Sequence, residues 1–353
     1  MPRFFFWLSI ILLIFFRFFS TRPVYHDGDK IRITARVASE PIRYSDRQYL
    51  RMLALKIYLP KYPEIYYGDR VVIEGRVESG KLVDARLDSH QARQGKLLYG
   101  FRQKLISFYR SNFPEPHASL LSGVVLGSKN MPQSFWDGLV KTGTAHVVVA
   151  SGMNVTLVAS FLISFLALLL PRKKAIPAAL VGIWGYAALS GFDAPIIRAA
   201  IMGSIVFITQ QYGRVVSAWR VLLYCAVVML IFKPAWLTDL GFILSFVATV
   251  CLLLFQKRID DKLKFVPSLL REGLSTSLAA QIGVAPIFFA TFGRFSLLSP
   301  VINALVLWTI PYLMILGALG GMAGLSVPLV GRLILLISYP LTWWFVKVVQ
   351  IFG

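Results

Sequence analysis

Cysteine, histidine and acidic side chains are all scarce in this sequence. Only two of its 353 residues are cysteine, Cys225 and Cys251, and both sit in apolar runs. They provide no disulfide framework and no Cys-x-x-Cys metal pair, and they read as small buried hydrophobes. The four histidines are His26, His90, His117 and His146. They form no His-x-His-x-Asp-His zinc motif, so these residues encode no metal hydrolase and call for no cofactor. Aspartate and glutamate together number 17 against 37 lysines and arginines. The acids are dispersed, whereas a nuclease needs grouped carboxylates or histidines. The sequence therefore reads as that of a non-enzyme.

Apolar residues are abundant. They make up 56% of the chain, and only 15% is charged. With a mean hydropathy of +0.66, this is the composition of a membrane protein. The formal charge of +20 fits anionic lipid, the cytoplasmic side of a membrane, or a polyanion in passage. Lysine and arginine also hold cytoplasmic loops in place, which accounts for part of the excess without any partner.

One stretch organises the reading. Residues 143–170 are apolar enough to enter a bilayer, yet carry His146, Ser151, Gly152 and Asn154 near their start. Polar groups inside a span are costly and turn toward a bundle interior or a wet path. A Ser-Gly pair there invites a helix break, which survives at membrane depth only under cover of protein or in a water-filled cavity.

The chain divides into four parts. Residues 1–21 read as an uncleaved transmembrane anchor, because bulky aromatics continue through Phe19 where a signal peptide would need small residues. Residues 22–96 are polar, with strands expected at 30–37, 50–59, 70–77 and 81–87 and turns at Asp27-Gly28-Asp29, Glu40-Pro41, Tyr67-Gly68-Asp69 and Ser79-Gly80. Short strands at this density suit a small OB-like barrel. Its tyrosines 44, 49, 58, 62, 66 and 67 either stack on bases or pack locally. Residues 97–142 start with an amphipathic helix whose face is Leu97, Leu98, Phe101, Leu105, Phe108 and Tyr109, with Arg102 elsewhere. It reads as lying on the membrane, or alternatively as packing under the barrel. Residues 143–353 hold successive spans near 146–170, 175–190, 195–211, 219–233, 240–256, 273–292, 297–325 and 328–350. The seventh is too long for one crossing, and Pro300 and Pro311 are expected to split or bend it. The fold class is thus a polytopic α-helical membrane protein with a small N-terminal all-β domain.

Basic loops lie at 172–174, 214–220 and 257–264, while 191–193 and 234–239 are poor in positive charge. With the amino terminus cytoplasmic, all three basic loops fall inside and the barrel falls outside.

Residues 135–158 (FWDGLVKTGTAHVVVASGMNVTLV) resemble the Gly…His…Ala-Ser-Gly signature of the ComEC-type competence membrane channels. Residues 191–214, 233–250 and 277–311 resemble later elements of the same family, and the order and the preceding barrel also match. The resemblance covers about residues 22–325. It implies an inner-membrane channel that passes single-stranded DNA into the cytoplasm during natural transformation. It also implies a separate cytoplasmic ATP-driven motor and a DNA receptor as partners. Membrane lipid surrounds such a chain, and self-association stays open. Asn154 and Ile243 depart from the family, which often has His and Gln there. Many members also carry a metallo-β-lactamase-like domain for which these residues show no zinc motif.

His146, Ser151, Gly152, Asn154, Arg198 and Asp193 are the candidates for lining the pore or touching the strand. Arg198 is the sharpest, since its charge persists at any working pH and needs Asp193 or a wet channel as partner. It either contacts phosphate in transit or forms a structural ion pair. His146 either meets the strand or bonds to backbone at a helix end. Ser151-Gly152 reads as a hinge or close-packing point, since no base–carboxylate pair is in register with Ser151. Asp239, Gln281 and Asn303 read as structural polar groups, the last two in interhelical bonds. Gly317–Gly321 and Gly320–Gly324 are small-xxx-small pairs for tight helix contact. The rival function is a small-solute or lipid-linked transporter using the same architecture.

Overall fold

The computed structural model describes residues 2–353 apart from 22, 24, 38–40, 44–45, 54, 67, 92–95, 150 and 293–295. Glu40, Tyr44 and Tyr67, named above, lie outside the described residues. The chain opens with helix α1 (Pro2–Thr21). Six strands follow: β1 (Lys30–Arg36), β2 (Ile42–Arg43), β3 (Arg47–Met52), β4 (Leu55–Pro60), β5 (Arg70–Glu78) and β6 (Lys81–Gln91).

The strands form one sheet in the order β1-β5-β6-β4-β3-β2. All neighbours are antiparallel except β4 and β6, which run parallel. The two edges, β1 and β2, follow each other in sequence. Laid flat, six strands would hold their edges about 24 Å apart. The six residue steps from Arg36 to Ile42 reach only about 20 Å. The sheet must therefore curl until its two edges, β1 and β2, come near each other. That is the closure of an OB-type barrel. Ile33, Leu50, Ile57, Ile65, Val71 and Ile73 fill its interior, each at most 4% exposed.

The stretch 50–59 corrects the sequence reading. It is a hairpin, β3 and β4, turning at Leu53, which has φ 48°. The buried positions are 50 and 52 before the turn and 55, 57 and 59 after it. That slip from even to odd is the signature of a turn, because alternation along a single strand keeps one phase.

Helix α2 (Lys96–Asn112) also differs from expectation. Its buried side is Arg102, Leu105, Ile106 and Tyr109, while Leu98 and Phe101 are exposed. These four follow helical spacing, so the inward face is rotated onto Arg102. That face meets helix α3 (His117–Leu126) and helix α13 (Thr309–Ser326). Tyr109 Oη donates to Gly317 O at 2.9 Å.

All ten residues of α3 are buried. Besides α2 and α13, α5 (Ala145–Val148) and α14 (Pro328–Phe352) pack on it, and α4 (Gln133–Thr142) and α12 (Ser299–Leu307) complete the largest apolar core. The remaining helices, α6 (Gly152–Leu169), α7 (Arg172–Ser190), α8 (Ala194–Gln211), α9 (Ala218–Phe232), α10 (Leu240–Lys262) and α11 (Ser268–Phe292), are more loosely covered. In the apolar windows of α8, α10 and α11 only 11–17% of residues are buried, against 44% in α13. Among the described residues, six helical segments are long and apolar enough to cross a membrane. Taken with the composition, this makes the chain a multi-pass membrane protein.

The long segment 297–325 is split at Trp308, between α12 and α13. Pro300 starts α12, where its missing N–H costs nothing. The third basic stretch is no loop at its start: Lys257, Arg258 and Lys262 close α10, where cations suit the helix dipole.

The small-residue pairs of α13 serve three neighbours. Gly317 faces Leu121 and Val125 of α3, and Gly321 faces Leu105 and Tyr109 of α2. Gly320 faces Leu335 of α14, and a Cβ on Gly331 of α14 would run into the Gly324 backbone.

Candidate functional site

The polar stretch that opens the reading is broken in the fold. Helix α5 ends at Val148, Val149 is extended, and α6 begins at Gly152 after Ser151 in extended backbone. Gly143, at the end of α4, takes φ 72°, and a Cβ there would overlap Ser299 Oγ. Both glycines are thus required by close neighbours.

Arg198 lies one turn into α8 and is half-buried. Its Nη1 donates to Ser245 O and Thr249 Oγ1 of α10. Its Nη2 lies against Gly152, where a Cβ would be only 2.7 Å away. Its Nε has no hydrogen-bond partner among the described residues. Among the described residues Arg198 makes no ion pair within 4.0 Å. Of the two partners open to it in the sequence, Asp193 or a wet channel, Asp193 is not the one Arg198 takes. Asp193 instead binds Lys129 at 2.7 Å, and Lys129 sits in the loop after α3. The reason is position: Asp193 precedes α8 as its N-cap residue, whereas Arg198 is one turn inside and turns toward α10.

Asn154 is 0% exposed and does not face an open path. Its Nδ2 donates to Val124 O at 2.9 Å. Val124 is in the last turn of α3, where carbonyls lack helical partners. Ser151 Oγ donates to Asn154 Oδ1 at 3.3 Å. Ser151 thus makes no contact with a base, and the start of α6 has no side-chain cap on its backbone amides. Those amides and the Arg198 guanidinium concentrate positive potential at the break.

His146, in α5, is exposed, and its Nδ1 bonds Gly143 O at 2.9 Å. A carbonyl only accepts, so Nδ1 carries the hydrogen and Nε2 of the neutral ring is left as an acceptor. No contact joins His146 to Arg198 among the described residues. The fold therefore brings Gly152 and Arg198 together, with Asn154 two residues further along α6, and leaves His146 and Asp193 apart from them.

The other polar candidates tie helices. Asp239 caps α10 by accepting from Phe242 N at 3.0 Å, and Arg51 of β3 approaches it at 3.7 Å. The barrel is thereby fastened to the start of a membrane-crossing helix. Asn303 Nδ2 donates to Ser277 Oγ at 2.9 Å and to Ser299 Oγ at 3.2 Å. Gln281 is half-buried and, contrary to expectation, has no hydrogen-bond partner among the described residues.

Three participants escaped the sequence reading: Ser245, Thr249 and the Val124 carbonyl. A signal existed for the first two, since they stand four apart in an otherwise apolar span and so share one face. Nothing in the sequence marks a backbone carbonyl. Among the described residues no three His, Cys, Asp or Glu side chains gather as a metal site would require.

A polar cleft of about 180 Å³ lies between barrel and helices, lined by Glu64, Tyr66, Tyr99, Arg102, Gln103 and Arg110 among others. Tyr66 and Tyr99 meet across it with ring centroids 5.4 Å apart.

ComE operon protein 3 of Bacillus subtilis (strain 168) is 29% identical over 227 residues, covering 64% of this chain and 29% of that protein. An uncharacterized protein of Aquifex aeolicus (strain VF5) is 33% identical over 277 residues, covering 75% of this chain and 64% of that protein. The chain thus spans less than two thirds of the length of either relative. No solved structure matches. The family model described as Competence protein matches residues 124–353, from within the buried α3 through the last helix, and the chain belongs to that family.

Proposed function

We propose that this chain forms a conduit in the inner membrane that passes single-stranded DNA into the cytoplasm during natural transformation. The observation that carries the reading is Arg198: a permanent cation within a membrane-crossing helix, without a carboxylate partner among the described residues, set against the uncapped start of α6. An intramembrane charge without a structural counter-ion is a functional group by default. Membership of the competence family supports the same conclusion. Exposed His146 stands in the adjoining broken segment. Lysine and arginine at 172–174, 214–220 and 257–264 lie at the helix ends remote from Asp193 and Asp239, and by the positive-inside rule this supports a cytoplasmic amino terminus with the barrel outside. A separate ATP-driven motor supplies the work and a DNA receptor delivers the strand; the chain itself is a passage, not an enzyme.

The test is transformation frequency in a strain carrying Arg198→Ala at unchanged protein level, beside Arg198→Lys. The expected result is a fall on the order of tenfold or more for alanine, with partial recovery for lysine. Normal transformation in the alanine strain removes Arg198 from the pathway, and the small-solute or lipid-linked transporter then becomes the better account.

A further inference from the structure

The outward wall of the β3–β4 hairpin carries an arrangement that the packing of the barrel does not require. Alternation puts Arg47, Tyr49 and Arg51 of β3 and Lys56 and Tyr58 of β4 on the side facing away from the core. The register sets Tyr49 opposite Tyr58 and Arg51 opposite Lys56. The two tyrosine rings are 5.2 Å apart, and the Arg47 guanidinium lies 5.4 Å above the Tyr58 ring. Like charges directly across a strand pair are destabilising, so Arg51 facing Lys56 is a cost to the fold. Residues 47–62 hold four cations and no acid. Two carboxylates from outside the hairpin approach it, Asp46 at 3.9 Å from Arg47 and Asp239 at 3.7 Å from Arg51.

We propose that this wall is the platform on which a single nucleic-acid strand is first held, with Tyr49 and Tyr58 stacking bases and Arg47, Arg51 and Lys56 taking phosphates. The inference rests on the DNA-conduit reading for its biological substrate and adds the site. The closure of the barrel makes β3 and β4 its second and third strands, the face on which OB barrels hold oligonucleotides. Tyrosine rings braced by a neighbour and an arginine are rigid stacking surfaces. The wall ends at Arg51, which touches the residue that starts α10, so a strand leaving it arrives at the membrane-crossing helices. Anionic lipid is the rival occupant. A membrane surface would meet the hairpin at its turn, where Leu53 is 49% exposed. The tyrosines stand four residues back from that turn, about 13 Å along the strands.

The experiment uses the purified full chain in uncharged detergent and a fluorescent oligothymidylate, read by anisotropy across a salt series. Expected are affinity that falls with salt, a loss on the order of tenfold for Tyr58→Ala with Tyr58→Phe near wild type, and a log–log salt slope shallower by about 0.7 for Lys56→Gln. Both side chains are exposed, so neither change disturbs the core. Wild-type affinity and slope in Tyr58→Ala and Lys56→Gln, or no strand binding by the wild type at low salt, overturns the proposal. Variants that lose only their binding to phosphatidylglycerol vesicles make the wall a lipid contact and overturn it too. Failure here leaves the Arg198 result untouched, and normal transformation with Arg198→Ala leaves strand binding by the wall untouched, so the two readings fall separately.

Discussion

The guanidinium of Arg198 occupies the space that a side chain at position 152 would need, with Nη2 only 2.7 Å from where a Cβ on Gly152 would lie. Two sequence elements 46 positions apart, Ser-Gly and Pro-Ile-Ile-Arg, therefore form one contact. Helical propensity alone would favour alanine over glycine at the start of α6. The contact reverses that sign. Gly152→Ala is expected to cost about 1 kcal/mol in wild-type background and to cost nothing once Arg198→Ala has emptied the space, a coupling of about 1 kcal/mol. Thermal melts of the four proteins of that cycle in a single detergent measure it.

Two other glycines are expected to respond with opposite signs. A Cβ on Gly331 would run into the backbone of Gly324, and backbone cannot swing aside. Gly331→Ala is expected to cost about 3 kcal/mol through separation of α13 and α14. Gly185, inside α7, has nothing within 4 Å of its Cβ direction. Gly185→Ala is expected to gain up to about 1 kcal/mol by helix propensity. The same melts decide both, and a gain for Gly331→Ala would refute the close α13–α14 crossing.

Lys129 and Asp193 hold the loop after α3 to the start of α8 at 2.7 Å, with side chains 21% and 25% exposed. Lys129→Glu sets two acids together and is expected to lower stability by about 1 kcal/mol. Adding Asp193→Lys restores the opposite pair and most of the loss. Raising the salt concentration should shrink the difference between the single variant and wild type.

Asn154→Leu removes the donor to Val124 O while keeping the side chain's approximate volume. A buried carbonyl left without a partner costs about 1–2 kcal/mol. The change is expected to lower thermal stability. Where the protein still accumulates to wild-type level, transformation should persist, because Asn154 is sealed from any open path. A stable Asn154→Leu protein without transformation would return Asn154 to the passage.

Much of the fold was legible because its signals are local. The OB-like barrel could be read from turn residues such as Gly28 and Gly80, both at positive φ, and from alternating burial along β1 and β5. The apolar runs after residue 146 marked most of the membrane-crossing helices, and Trp308 splits the one run that was too long. The hairpin at Leu53 was present in the sequence as a change of phase and was passed over. The role of α3 was not legible. Its ten residues look moderately apolar, and only the helices around it make it the centre of the core. The direction of Arg102 failed for a related reason: charge placed it on the outer face, whereas helical spacing with Leu105, Ile106 and Tyr109 carries it inward.

Composition and periodicity by themselves determined that this chain is a multi-pass helical membrane protein bearing a small β-barrel, because hydropathy and alternation act over neighbouring residues and need no partner. Which polar groups meet was decided only in the tertiary structure. Arg198 had a choice between the nearby Asp193 and two residues of a helix about 50 positions away, and the direction of its turn on α8 gave it to Ser245 and Thr249 while Lys129 claimed the carboxylate. A buried charge takes whatever donors and acceptors the packing brings within reach, and that set is a property of three helices together, absent from the sequence of any one of them.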